Sequence, residues 1–224
     1  MRRAPWLLLV LLVCVAAAAP WLDAEVPRRV DGRVFFVCTS AESEGNRLCS
    51  ELIIAGGCSG AAVHGQPFDY SPRQFDDWPS RVRWDPALTA TFEAARCFVL
   101  HRSLPHAHRW PNMRMLVGQL VDYGFRVHVV VPLRMPLTTA ASQLQHGHVN
   151  STALARQQIE RAHRIVGDLL GRLPRAAGYT FMLTAELHRH PEYVRDLLLG
   201  WNLTVPRQQF LPRFYDPDAK YFLR

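Results

Sequence analysis

Lysine is all but missing from this 224-residue chain: it occurs once, at Lys220, so 25 of the 26 cationic side chains are arginine. Any motif built on a lysine is therefore excluded, the GxxxxGK(S/T) triphosphate loop first among them. No CxxC or HExxH spacing occurs. The pairs His106/His108, His146/His148 and His188/His190 have no carboxylate at fixed spacing, so no metal site is expected. No internal repeat, low-complexity tract or long linker divides the chain. The cations exceed the acidic residues by 7 without forming a dense block, which favours a small anionic ligand over nucleic acid. Apolar residues, by contrast, are plentiful. At 49% hydrophobic and 20% charged, the chain can build one full core, and it is not a disordered, collagenous or small disulfide-stapled sequence.

Long hydrophobic runs are also absent, apart from one at the start. Arg2 and Arg3 precede an uncharged stretch from Ala4 to Leu22, and Asp23 and Glu25 follow it. Its apolar centre, Trp6 to Ala19, is 14 residues long. As a helix it reaches roughly 21 Å, short of a typical bilayer core. Residues 1–24 thus read as a secretory signal peptide, with Ala16 to Ala19 offering the cleavage site, or as a short uncleaved anchor suited to thin membranes. Residues 25–33 form a short stem. In either case the basic flank stays cytosolic and the remainder enters the lumen of the secretory pathway, with the Golgi as the expected station. The membrane is then touched only through an uncleaved leader. The sequons Asn150-Ser151-Thr152 and Asn202-Leu203-Thr204 agree with that address. Cys14 falls in the leader, leaving Cys38, Cys49, Cys58 and Cys97 in an oxidising space with three pairings open.

Beyond the stem, strand-like and helix-like segments alternate. Val34–Val37, Cys97–Leu100, Val127–Val131 and Tyr179–Leu183 are apolar runs rich in β-branched and aromatic residues. Between them, Leu48, Leu52, Ile53 and Ala55 recur at helical spacing, as do Met113, Leu116, Leu120 and Val121. Helices are also predicted over Ala87–Arg96 and Ala153–Leu173, and residues 60–86 read as a loop excursion rich in Pro, Asp and Trp. Near-continuous apolar strands separated by helices predict a single α/β domain over 34–224, with a parallel sheet covered by helices on both faces.

In such a sheet ligands collect where strands end and helices begin. Three loops qualify. The first, Cys38–Arg47, follows the first strand. Ser43, Glu44, Gly45, Asn46 and Arg47 supply small and polar residues around a glycine, and Arg47 adds a cation for a phosphate. The second, Pro132–Gln143, follows the third strand and carries Arg134 and, eight residues on, Ser142. A guanidinium and a hydroxyl so spaced can hold one phosphate. The third, His101–His106, offers His101 and His106 as proton acceptors. Glu186 is the carboxylate alternative, although a Glu after a strand often caps a neighbouring helix. Trp78, Trp84 and Trp110 are read as loop packing. Arg156, Arg161, Arg164 and Arg172 form a solvated helix face that also suits an acidic acceptor such as a partly sulfated glycan.

These loops together resemble the sulfotransferases that use 3′-phosphoadenosine-5′-phosphosulfate (PAPS). In that family an Arg followed eight residues later by a Ser binds the 3′-phosphate, and the first strand-loop-helix binds the 5′-phosphosulfate. The resemblance implies the first role for Arg134 and Ser142 and the second for Ser43–Arg47. Near the C-terminus, Tyr179–Leu183, Glu186-Leu187, Pro191-Glu192 and Leu197–Leu203 are similar to the family's strand, turn and terminal helix, so the likeness runs from about Val34 to about Leu203. The chain departs from the family at Ser43 and Glu44, where many members carry Lys or Arg with Ser or Thr. There Arg47 is expected to substitute as the cation. The implied activity is sulfuryl transfer from PAPS to a hydroxyl, with a carbohydrate acceptor expected from the secretory address. The rival reading is a catalytically inactive secreted protein on the same scaffold that binds glycan or nucleotide. A nucleotide kinase is disfavoured by the missing lysine.

Overall fold

The computed structural model describes residues 32–41, 43–60, 95–106, 110–122, 124–187 and 189–206. The leader, nearly all of the stem, the predicted helix 87–96 up to residue 94, Trp78 and Trp84 lie outside them. The described residues form one α/β unit. Its elements in chain order are β1 (Val34–Ser40), α1 (Ser43–Ala55), β2 (Ser59–Gly60), β3 (Cys97–Ser103), α2 (Met113–Asp122), β4 (Arg126–Leu133), α3 (Pro136–Gln145), α4 (Thr152–Leu170), β5 (Ala177–Leu183) and α5 (Pro191–Gly200). The strands make one parallel sheet in the order β2-β3-β1-β4-β5.

Each central strand is buried on both faces, which explains its unbroken apolar sequence. On one face Phe35, Val37, Phe98, Leu100, Val127 and Val129 pack beneath α2 and α4. On the other, Phe36, Cys38, Val99, Val130 and Met182 pack beneath α1 and α5. Helix α4 turns Ala155, Ile159, Ala162, Val166 and Leu169 inward, a three-and-four spacing that makes one apolar stripe. The Ser151 hydroxyl caps it by accepting the Leu154 N–H. Among the described residues no helix is long and apolar enough to cross a membrane.

The structure revises several boundaries. β1 and β3 run three residues past their apolar cores, because Cys38, Thr39 and Ser40 pair in register with His101, Arg102 and Ser103. Backbone pairing therefore continues after the hydrophobic signal stops. Only residues 41 and 42 separate β1 from α1, so Ser43–Arg47 is the first turn of a helix rather than a free loop. Residues 136–143, expected as part of the loop Pro132–Gln143, belong to α3. Pro136 occupies its first turn, and its inward face is polar, with Thr138, Thr139, Ser142 and Gln143 buried, so no apolar period betrays it. The terminal helix starts at Pro191 and stops at Gly200, and Asn202 takes a left-handed φ of 57° just beyond.

Cysteine pairing, open in the sequence, is resolved as Cys38 with Cys49 and Cys58 with Cys97. The first pair ties β1 to α1, and the second ties the chain entering β2 to the start of β3.

Candidate functional site

The chain runs from β1 to β3 on one side of the sheet and then to β4 on the other, so the carboxyl end of β1 is the point where strand order reverses. Connections on either side of such a point diverge and leave a crevice. The segments opening there are the first turn of α1, the end of β3 and the exit from β4. They carry all three predicted residue groups.

Arg134 leaves β4 with its side chain only 2% exposed, and its Nη1 lies 3.4 Å from Glu44 Oε2 in the first turn of α1. Thus the two segments predicted to bind anions converge, joined by an ion pair between residues 90 apart in sequence. Arg47 turns instead to Glu51, one helical turn along α1, in an exposed pair. Asn46 is fully buried, and its side-chain amide donates to the Ser103 hydroxyl at 3.3 Å, fastening α1 to the end of β3. Gly45 lies buried in the same turn. Ser142 sits in the second half of α3 on its buried face. One residue on, the Gln143 amide donates to the Ala41 carbonyl at 3.1 Å, so α3 is tied to the β1–α1 turn. A cavity of about 330 Å³ opens beside Arg134, walled by Ser40, Ala41, Leu133, Thr139 and Phe181.

His101 and His106 flank the end of β3 with ring centroids 6.4 Å apart. Burial lowers the pKa of His101 to about 4, assisted by the positive charges of Arg102 and then Arg47. Burial, then Arg102 and His101, lowers that of His106 to about 3. Both rings are therefore neutral near pH 7. The Ser103 N–H donates to His106 Nδ1 at 3.3 Å, which puts the ring proton of His106 on Nε2. The Nε2 position of His106 is thus a hydrogen-bond donor.

One residue, Arg102, acquires importance that sequence reasoning did not assign, and Glu44 gains a partner. Arg102 is 2% exposed, one of the largest fully buried side chains, and its guanidinium donates to the His101 carbonyl at 3.2 Å. Its signal was an arginine at the end of an otherwise apolar strand. Glu44 was noted as a departure, but its partner across the crevice was not visible in one dimension. Glu186 lies away from this group. Its carboxylate contacts His190 Nε2 at 3.1 Å and its carbonyl accepts the His190 N–H, bracing the start of α5. No group of three His, Cys, Asp or Glu residues suited to a metal ion occurs among the described residues.

A parallel sheet with helices on both faces and a crevice at its switch point defines an α/β protein, and comparison with solved structures narrows the fold. The chain is similar to the sulfotransferase domain of the Synechococcus PCC 7002 olefin synthase, with 15% identity, 85% of this chain and 80% of that chain covered, and a TM-score of 0.53. The fold is sulfotransferase-like. No family model matches the chain, and no curated protein does.

Proposed function

We propose that this protein transfers a sulfuryl group from PAPS to a hydroxyl on a carbohydrate in the secretory pathway. The observation that carries the reading is the 3.4 Å contact between Arg134 and the first turn of α1. It brings together the two segments that the family resemblance assigns to the two ends of the donor, in a fold shared with a sulfotransferase domain. The residues fit a bisphosphorylated nucleotide in kind. Arg134 offers a buried guanidinium, α1 offers the positive end of its helix dipole, and the cavity beside Arg134 has room for an organic group.

PAPS would supply the activated sulfuryl group. Arg134 and Ser142 hold the 3′-phosphate, and the α1 turn holds the 5′ end and neutralises the leaving phosphate. His101, neutral and at the strand end, accepts the proton of the attacking hydroxyl as the new oxygen–sulfur bond forms and the bond to the phosphate oxygen breaks. His106 orients the acceptor through Nε2–H. Asn150 and Asn202 are exposed, as N-glycans on a luminal protein require.

Calorimetry with adenosine 3′,5′-bisphosphate tests the donor site. Arg134→Ala should abolish binding while the far-UV spectrum is unchanged, and undiminished affinity refutes the assignment. Transfer of labelled sulfate to a glycan panel then tests the chemistry, and His101→Ala should lower kcat with little change in nucleotide affinity. The second reading, an inactive binding protein, draws on the same Glu44 contact, since a carboxylate that is never displaced from Arg134 blocks the donor. Glycan binding with neither nucleotide binding nor sulfate transfer would establish it.

A further inference from the structure

A second concavity lies beside the crevice, between the start of α2 and the outer side of α4. This groove, of about 770 Å³, has Trp110 and Arg114 on one wall and Gln157, Gln158, Arg161 and Arg164 on the other. Its charge is one-sided. Among the described residues three guanidinium groups face a single carboxylate, Asp168, which already contacts Arg172 at 3.1 Å and Arg114 at 3.9 Å. The neighbouring Glu160 is taken by Arg156, on a different side of the helix.

The α4 residues 157, 161, 164 and 168 follow a four-three-four spacing and so share one face. From Gln157 to Arg164 the helix rises roughly 10 Å. An extended ligand with repeated anionic groups fits this row better than a lone ion. Arg161 is held in place, its Cζ lying 4.2 Å over the Trp110 ring, so less conformational entropy is lost when it grips an anion. That contact also covers the indole face on which a nucleobase would stack. The two glutamines add paired donors and acceptors suited to hydroxyls. The Gln158 Oε1 atom is buried and accepts no hydrogen bond among the described residues. Carboxylate or sulfate groups together with hydroxyls describe an acidic saccharide.

We propose that the α2/α4 groove binds an acidic saccharide through Arg114, Arg161 and Arg164, with Gln157 and Gln158 reading its hydroxyls. Helix α4 lines both concavities, the groove through Gln158 and Ile165 and the cavity beside Arg134 through Ile159 and Val166, so the groove adjoins the crevice. It is the subsite for the charged part of the acceptor. That role rests on the sulfuryl-transfer reading, whereas the binding itself does not.

The test is calorimetry on the full chain, without nucleotide, using a hexasaccharide of alternating uronate and sulfated N-acetylhexosamine. The wild type should bind it, with affinity falling as salt rises. The Arg161→Ala/Arg164→Ala double variant should bind at least tenfold more weakly. Arg195→Ala, exposed on α5 and outside the groove, should bind as the wild type does, and a neutral hexasaccharide should not bind. The proposal is overturned if the wild type ignores the acidic probe or the double variant binds it unchanged. It is equally overturned if the neutral sugar binds as well, or if a single-stranded oligonucleotide displaces the probe at equal concentration. Both arginines are exposed, so the variants should fold, and adenosine 3′,5′-bisphosphate binding is measured on each. Saccharide binding without nucleotide binding sinks the donor assignment and keeps the groove, and the reverse result sinks the groove alone.

Discussion

Glu44 and Arg134 show how one pair of side chains sets the state of the crevice. A guanidinium this buried needs an anion, because an unpaired charge there is costly. Glu44 serves that role, and in the proposed donor complex a phosphate displaces it. Glu44→Gln should therefore tighten adenosine 3′,5′-bisphosphate binding by about tenfold, equivalent to ~1.4 kcal/mol. Calorimetry of the variant checks this, and unchanged affinity would mean that the carboxylate does not compete. The histidine pair makes a prediction in pH. Its folded pKa values, about 4 and about 3, lie below the ordinary 6.5. Between those limits the unfolded chain binds more protons, so the contribution of the pair to stability is complete above pH 6.5 and lost as pH falls toward 4 and 3. The wild-type Tm should drop across that window more steeply than that of a His101→Gln/His106→Gln variant. Parallel curves would show that burial of these rings is not what costs stability in acid. Arginine, histidine and glutamate were all legible as residue types. Their pairings were not, because Glu44 and Arg134 are neighbours only after two separate strands have stacked in register.

Strands announced themselves through apolar runs, and α4 through its stripe, because both bury a continuous hydrophobic surface. α3 did not, since its inward side chains are hydroxyls and an amide that serve the crevice rather than the core. β2 contributes just two residues to the sheet and is too short to carry a pattern. The turn ending α1 depends on an approach that no local pattern reveals. A Cβ at Gly56 would lie 2.9 Å from Leu198 Cδ2 and 3.0 Å from Leu203 Cβ, and the Gly56 carbonyl accepts the Thr204 N–H at 3.0 Å. The end of α1 and the segment after α5 are thus in direct contact. Gly56→Ala should cost about 1–3 kcal/mol, the range for overpacking. Urea unfolding should show it as a lower midpoint with unchanged slope, and a wild-type midpoint would mean that the two leucines yield freely.

For the whole molecule, the two cysteine pairs close loops of 11 and 39 residues on one side of the sheet. Chain-entropy arguments give about 3 and about 4 kcal/mol for loops of these sizes. Cys58→Ser/Cys97→Ser should therefore lower stability more than Cys38→Ser/Cys49→Ser, as read by thermal unfolding, and the reverse order would locate their effect in the native state. The amino-acid sequence alone determined the α/β class, the parallel sheet and the approximate ends of its strands. Each of these follows from short-range periodicity and from which residues avoid water. Only the tertiary structure decided which cysteines pair, that Glu44 covers Arg134, that Arg102 is buried beside two neutral histidines, and that Arg161 lies over Trp110. Those outcomes depend on distances between residues far apart in the chain. They arise when β1, β3 and β4 align and the helices settle on the sheet, and no local preference along the chain encodes them.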